Sequence, residues 1–547
     1  MTFLKRTTAA LLAVCLCLGL LGGCGQDAAE EGFTLNAALV GKMPSGDPAM
    51  VTDPAGETLL LHVYENLMRP TAANAAGKTS AAEGVAKSYD EEENADGTVT
   101  YTFHLRDNAR WSDGRRVKAD DFVFAWRRLA DPAASSPNHA LLKMVQGYAE
   151  VRETGDTAQL AVSAKNDSTL VVTLSYKCPY FLSDICTAAA TMPLRESAIG
   201  TAGWAENWTG LVTNGAYRVE EQSGEGLTAV RNERYHGKAD GPQRIGFRFA
   251  EDADAAWALY QSGEVDFTPQ LPAAELEKRA KSGSWSAIPD SATYCILFNN
   301  AVEPLADPQV RQALSLAIDR GQISELTGTA VTAAGALVPH GIPQSDEEDF
   351  RTAGGGLLTT EPEQAAGDQA QAQRLLSQSG YAGGDAFPKL EYLYAADDSA
   401  TAAAQAVRQM WHDVLRIDVT LKAVTRTELE EALSSGDYTL AAAPVGTCCY
   451  DAMGFLEHWE TDAPDNVLGY SNSAFDTLLA VIRGASDEAA RLACLHDAEQ
   501  LLLEDGALAP LYVTGSDWLL REDYSGAYRD GLGRFCFQSV AEASAKA

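Results

Sequence analysis

At 547 residues the chain exceeds what one hydrophobic core supports, so two or three domains are expected. Its composition, 46% hydrophobic and 22% charged, is ordinary for a soluble globular protein. The formal charge of −34 argues against a nucleic-acid partner and is explained most simply by the solubility of an exported chain.

Lys5 and Arg6 precede an apolar run from Ala9 to Leu21 that is too short for a comfortable membrane span and ends in small residues, the layout of a secretory signal. Leu21-Gly22-Gly23-Cys24 looks like a bacterial lipobox, predicting cleavage before Cys24 and attachment of diacylglycerol to its thiol. Loss of residues 1–23 removes Lys5 and Arg6 and makes the charge two units more negative. No later run has the apolar length of a transmembrane helix, so the expectation is a soluble body on a lipid tether at the extracytoplasmic face of the membrane, with residues 24–32 as flexible spacer.

Phe33 to Val40 reads as a first strand, and Thr58 to Leu67 as a helix ended by Met68-Arg69-Pro70. From Thr98 the pattern is more explicit. Val99, Tyr101, Phe103 and Leu105 alternate with polar residues as in a half-buried strand, and Asp113-Gly114 supplies a turn. Asp120 or Asp121 then caps a helix carrying Phe122, Trp126 and Leu129 on one face, and Asp131-Pro132 stops it. Ser168 to Ser175 is a further strand, Asn214-Gly215 a turn into another, and Gly263 ends a helix before a short strand at Phe267. Asp307-Pro308 opens a helix in which Val310, Leu314, Ala317 and Ile318 share a face. Asp368 is expected to cap a helix from Gln369 to Ser379-Gly380. The strands Leu390–Tyr394 and Ile417–Leu421 alternate with the helices Thr401–Val414 and Thr427–Leu433, which indicates an α/β domain.

Seven cysteines follow Cys24, an odd number, so at least one is free or pairs with another chain; Cys178 and Cys186 are the closest plausible pair. The eight histidines are scattered. No HExxH, CxxC, G-x-S-x-G or P-loop motif occurs, and Cys448-Cys449 lacks an orienting partner for a thiol nucleophile. No metal site or cofactor is expected, and binding is preferred to catalysis.

Three stretches, Thr98–Pro132, Trp208–Val219 with Tyr260–Phe267, and Leu297–Arg320, closely resemble the extracytoplasmic solute-binding proteins of peptide and nickel ABC importers, nearest the oligopeptide-binding type. The resemblance implies an α/β, two-lobed periplasmic-binding-protein fold, type II-like, with an extra domain inserted in the first lobe. Projected onto this sequence, the first lobe takes 33–65, 193–296 and 519–547, the inserted domain 66–192, and the second lobe 297–518.

In that family the peptide lies extended between the lobes. The corresponding first-lobe segment falls at Thr52-Asp53-Pro54, where Pro54 offers only a carbonyl, and a contact from the inserted domain falls at Asn138. The family's acidic anchor for the ligand's amino group lands on Cys448, aromatic wall positions land on Val445 and Arg426, and the two arginines that meet a peptide carboxylate land on Leu433 and Ala442. A buried ammonium needs a carboxylate, so either Asp451 supplies it or the ligand has no free α-amine. Trp411, Tyr450, Phe455 and Trp459 are candidate walls.

The resemblance thus implies a monomeric, lipid-anchored binding protein that takes a peptide or peptide-like molecule and passes it to the transmembrane subunits of an ABC permease. The alternatives are the same fold binding a metal chelate, modified peptide or oligosaccharide, and a secreted hydrolase.

Overall fold

A computed structural model describes residues 32–74, 78–200, 202–238, 240–282, 288–328, 330–447 and 449–543. Cys24, with the proposed signal and most of the tether, lies outside these residues, as does Cys448. No described helix is long and apolar enough to cross a membrane.

Two six-stranded sheets organise the molecule. In the first, the order is Leu519–Leu520, Phe267–Thr268, Thr34–Val40, Arg244–Ala250, Gly226–Arg231, Tyr217–Gln222. Thr34–Val40 is parallel to both its neighbours. Leu35, Ala37, Ala38 and Leu39 are accordingly buried, giving the near-continuous apolar run of a strand covered on both faces. In the second sheet the order is Val331–Ala333, Leu508–Ser516, Ile288–Phe298, Leu440–Gly446, Leu390–Ala395, Val419–Val424. The helices Pro308–Leu316, Ala365–Gln378 and Asp398–Leu415 contribute Leu314, Leu376 and Val407 to the core on one of its faces. The chain passes from the first sheet to the second before Ile288 and returns after Ser516, and Ile288 pairs with Ser516, so the two crossings lie side by side.

A separate antiparallel sheet orders Ala86–Glu93, Val99–Leu105, Thr169–Leu174, Val162–Asn166. Val99–Leu105 alternates buried and half-buried residues along its whole length, as its sequence predicts. The helix Ala119–Ala130 buries Phe122, Trp126 and Leu129, and Trp126 Nε1 donates to the carbonyl of Thr191 at 2.8 Å.

Several expectations need correction. The first helix spans Pro54–Val63 rather than Thr58–Leu67. Asp53 is its N-cap and Pro54 its first residue, while past Val63 the backbone is claimed by tertiary partners, Glu65 N–H donating to Asn214 Oδ1. The cap of helix Ala119–Ala130 is Lys118; Asp121 sits three residues in and accepts from the Lys118 N–H at 2.8 Å. The helix Ala365–Gln378 starts before Asp368, which lies in its first turn and complements its dipole instead of capping it. Cys178 and Cys186 are buried free thiols with no bond between them. In contrast, Asp307 caps Pro308–Leu316 as read, accepting from Gln309 N–H at 2.9 Å, and Gly263 closes its helix with φ of 84°.

Candidate functional site

Between the two six-stranded sheets lies a cavity of about 490 Å³. From the first sheet, Leu39 and Val40 reach it at the carboxyl end of a parallel strand, the usual place for a ligand in such sheets. Pro54, Ala55 and Thr58 enter from the first turns of helix Pro54–Val63, and Pro269 and Gln270 from the loop after Phe267–Thr268. The second sheet supplies Asp290, Ser291, Ala292, Gly446 and Ser516, and Thr447 follows directly on its strand Leu440–Gly446. Arg529, Leu532, Gly533 and Phe535, from the C-terminal segment, close the remaining side.

Two properties of this lining matter chemically. First, the pairing of Ile288–Phe298 with Leu508–Ser516 shifts register between Pro289 and Thr293, so residues 290–292 bulge where they meet the cavity. A bulge leaves backbone groups without ladder partners, and such groups can pair with an extended ligand. Second, among the described residues that line it the acidic and basic side chains are one of each, Asp290 and Arg529. Thr514 Oγ1 and Ser516 Oγ donate to the Asp290 carboxylate at 2.7 and 3.2 Å, and Arg529 Nη2 stands 3.7 Å from it.

Tyr450 forms the shoulder of this region. Its hydroxyl is 3.4 Å from Ser291 Oγ, and its ring lies over Gly531, where a Cβ would come within 2.4 Å of the ring. Its backbone N–H donates to Asp184, a carboxylate whose burial pushes its pKa up to about 7.

The profile of the bacterial extracellular solute-binding proteins of family 5 matches residues 81–466, well over half the chain. The chain belongs to this family. The periplasmic oligopeptide-binding protein OppA of Escherichia coli (strain K12) is 31% identical over 454 residues, covering 79% of each chain. The oligopeptide-binding protein OppA of Bacillus subtilis (strain 168) is 28% identical over 95% of this chain and 94% of its own. Among solved structures, the Haemophilus influenzae OppA complex with RPPGFSPFR superposes with a TM-score of 0.75 at 25% identity, covering 94% of this chain and 99% of that one.

The two-lobed α/β architecture is that of a family 5 solute-binding protein. Of the residues singled out from the sequence, Pro54 lines the cavity, beside exposed Thr52 and Asp53. Asp53 is occupied as a cap, accepting from Gly56 N–H at 2.8 Å. Asn138 holds the preceding loop, its amide donating to the carbonyls of Val51 at 2.7 Å and Ala49 at 3.2 Å. Thr447 lines the cavity immediately before Cys448. Asp451 is 8% exposed, and its Oδ1 accepts from Arg491 Nη2 at 2.6 Å and from Met453 N–H at 2.8 Å. That carboxylate already has its counter-charge, so a ligand ammonium would have to displace Arg491.

Val445 is buried in the apolar core, and Arg426 is exposed at the first position of helix Arg426–Ser435; neither borders the cavity. Trp411 is a core anchor whose indole donates to the carbonyl of Leu314 at 2.8 Å, and Phe455 and Trp459 are likewise buried. The residues that sequence reading passed over are Asp290 and Arg529. Nothing local in SAIPDSATY or GAYRDG distinguishes them; they meet because strand Ile288–Phe298 and the C-terminal segment converge on one cavity.

Proposed function

We propose that this solute-binding protein is tethered to the membrane through lipid on Cys24, takes up peptides in the cleft between its lobes and delivers them to an ABC permease. The lobes are placed at 33–65, 193–296 and 519–547 for the first and 297–518 for the second, with 66–192 inserted. The observation that carries the peptide reading is the cavity between the two sheets, lined by a pair of opposite charges and by Asp290 and Ser291, which stand outside the register of both neighbouring strands. Backbone pairing gives affinity without demanding a particular side chain, which suits peptides of varied sequence. The names of its relatives support the same reading. A ligand touching both lobes stabilises the closed arrangement by its differential affinity for it, and this closure is the whole mechanism; no bond is made or broken.

The test is incubation with a randomised tetrapeptide library followed by native mass spectrometry. Intact peptides retained one per chain are expected; cleavage products, or retention of no peptide, contradict the reading. For the anchor, Cys24→Ser is expected to release the protein from membranes, and undiminished attachment would exclude lipidation at that thiol.

A further inference from the structure

We infer that Asp290 is the receptor for an ammonium group on the ligand, an inference that rests on the peptide reading above. The carboxylates near the cleft differ in what is left for a ligand to use. Asp451 is paired with Arg491 at 2.6 Å, and Glu457, with a side chain 4% exposed, is paired with Lys143 at 2.5 Å. Asp184 is buried and turned to the Tyr450 N–H. Asp53 and Asp530 are held by their own segments, Asp53 as a helix cap and Asp530 by Arg534 Nε at 2.6 Å. Of these carboxylates only Asp290 borders the cavity, and its side chain is 35% exposed.

Its surroundings fix the carboxylate without exhausting it. The hydroxyls of Thr514 and Ser516 hold both oxygens, Thr514 on Oδ2 and Ser516 on Oδ1. An ionised carboxylate offers about four acceptor sites, so capacity remains for a donor arriving from the cavity. Arg529 Nη2, at 3.7 Å, is beyond hydrogen-bond distance and takes up none of the acceptor sites of the carboxylate. An ammonium, with three donors and no acceptor, is the group that complements this arrangement. It has two sources on a peptide, the amino terminus and a lysine side chain.

The experiment compares the full-length protein with Asp290→Asn, an isosteric change at a partly exposed position. Four randomised tetrapeptide libraries serve as probes: free or N-acetylated, each made with or without lysine, with retained peptide counted by native mass spectrometry and the circular-dichroism spectrum as the control for folding. The wild-type protein is expected to retain the free, lysine-lacking library at least about tenfold more than its acetylated counterpart if the amino terminus is the ligand group. If lysine is that group, the preference is instead for lysine-containing acetylated peptides over lysine-lacking ones. In Asp290→Asn that preference is expected to fall to within about threefold, with retention of acetylated lysine-lacking peptides unchanged. Persistence of the preference in the variant, equal loss for every library, or absence of any preference in the wild type would overturn the assignment of Asp290 while leaving peptide binding intact. Retention of no library by the wild type would overturn the peptide reading itself, and this inference with it.

Discussion

Asp184 and Asp451 sit on either side of Tyr450, and each shows what a sequence position does and does not disclose. Asp451 lies three residues past the place where the family's acidic anchor falls, which made it a candidate for that role; its partner Arg491 is 40 residues further on, beyond any local signal. Asp184 gave no signal at all, since only the fold brings it to the Tyr450 N–H 266 residues away. Burial raises the Asp184 carboxyl to about 7 from a model-compound value of 3.8. The folded protein therefore holds this proton more tightly than the unfolded chain does. Its contribution to stability is complete below about pH 4 and is lost as pH rises through 7. Between pH 5 and pH 8 this group alone lowers unfolding free energy by roughly 2–3 kcal/mol, and Asp184→Asn is expected to reduce the difference by that order. Urea titrations at the two pH values measure it; an unchanged difference in the variant would contradict the account.

At the scale of elements, legibility followed how local the determinants are. Val99–Leu105 and Pro308–Leu316 were readable because alternation, an Asp-Pro start and an apolar face lie within the segment itself. The end of Pro54–Val63 was not, because Asn214 stops it from 149 residues away by bonding Glu65 N–H. Helix Ala119–Ala130 is intermediate. Its acidic first turn was visible, but not that Asp121 serves two donors, the Lys118 N–H and the indole of fully buried Trp111 at 3.0 Å. Asp121→Ala leaves the indole N–H buried without a partner and is expected to cost about 1–3 kcal/mol. Thermal unfolding checks this; a melting temperature unchanged within a degree would mean that the carboxylate does not hold the strand–turn–helix unit together.

For the whole molecule, the family and the α/β layering were legible, because the three diagnostic stretches preserve packing signals spread along the chain. The candidate site was only partly so. It draws on residues 39–40, 54–58, 269–270, 290–292, 446–447, 516 and 529–535, and no run among them carries a motif. Resemblance points to Pro54, which lines the cavity, whereas Asp290 and Arg529 carry no local signal and come together only where the two sheets are set face to face. Two ion pairs run from residues 66–192 to the half of the chain that carries the second sheet, Lys143 to Glu457 at 2.5 Å in a largely buried setting and Lys78 to Asp346 at 2.7 Å on the surface. The exposed pair contributes little, with surface pairs worth about 0–1 kcal/mol.

The central claim is that ligand is held between the sheets and contacts both. Amide hydrogen exchange with and without a saturating peptide mixture tests it most directly. The account predicts coincident protection of residues 290–292, 446–447 and 529–535. Protection confined to one lobe, or appearing instead around the separate cavity of about 260 Å³ bordered by Glu65, Arg69 and Arg534, would contradict it.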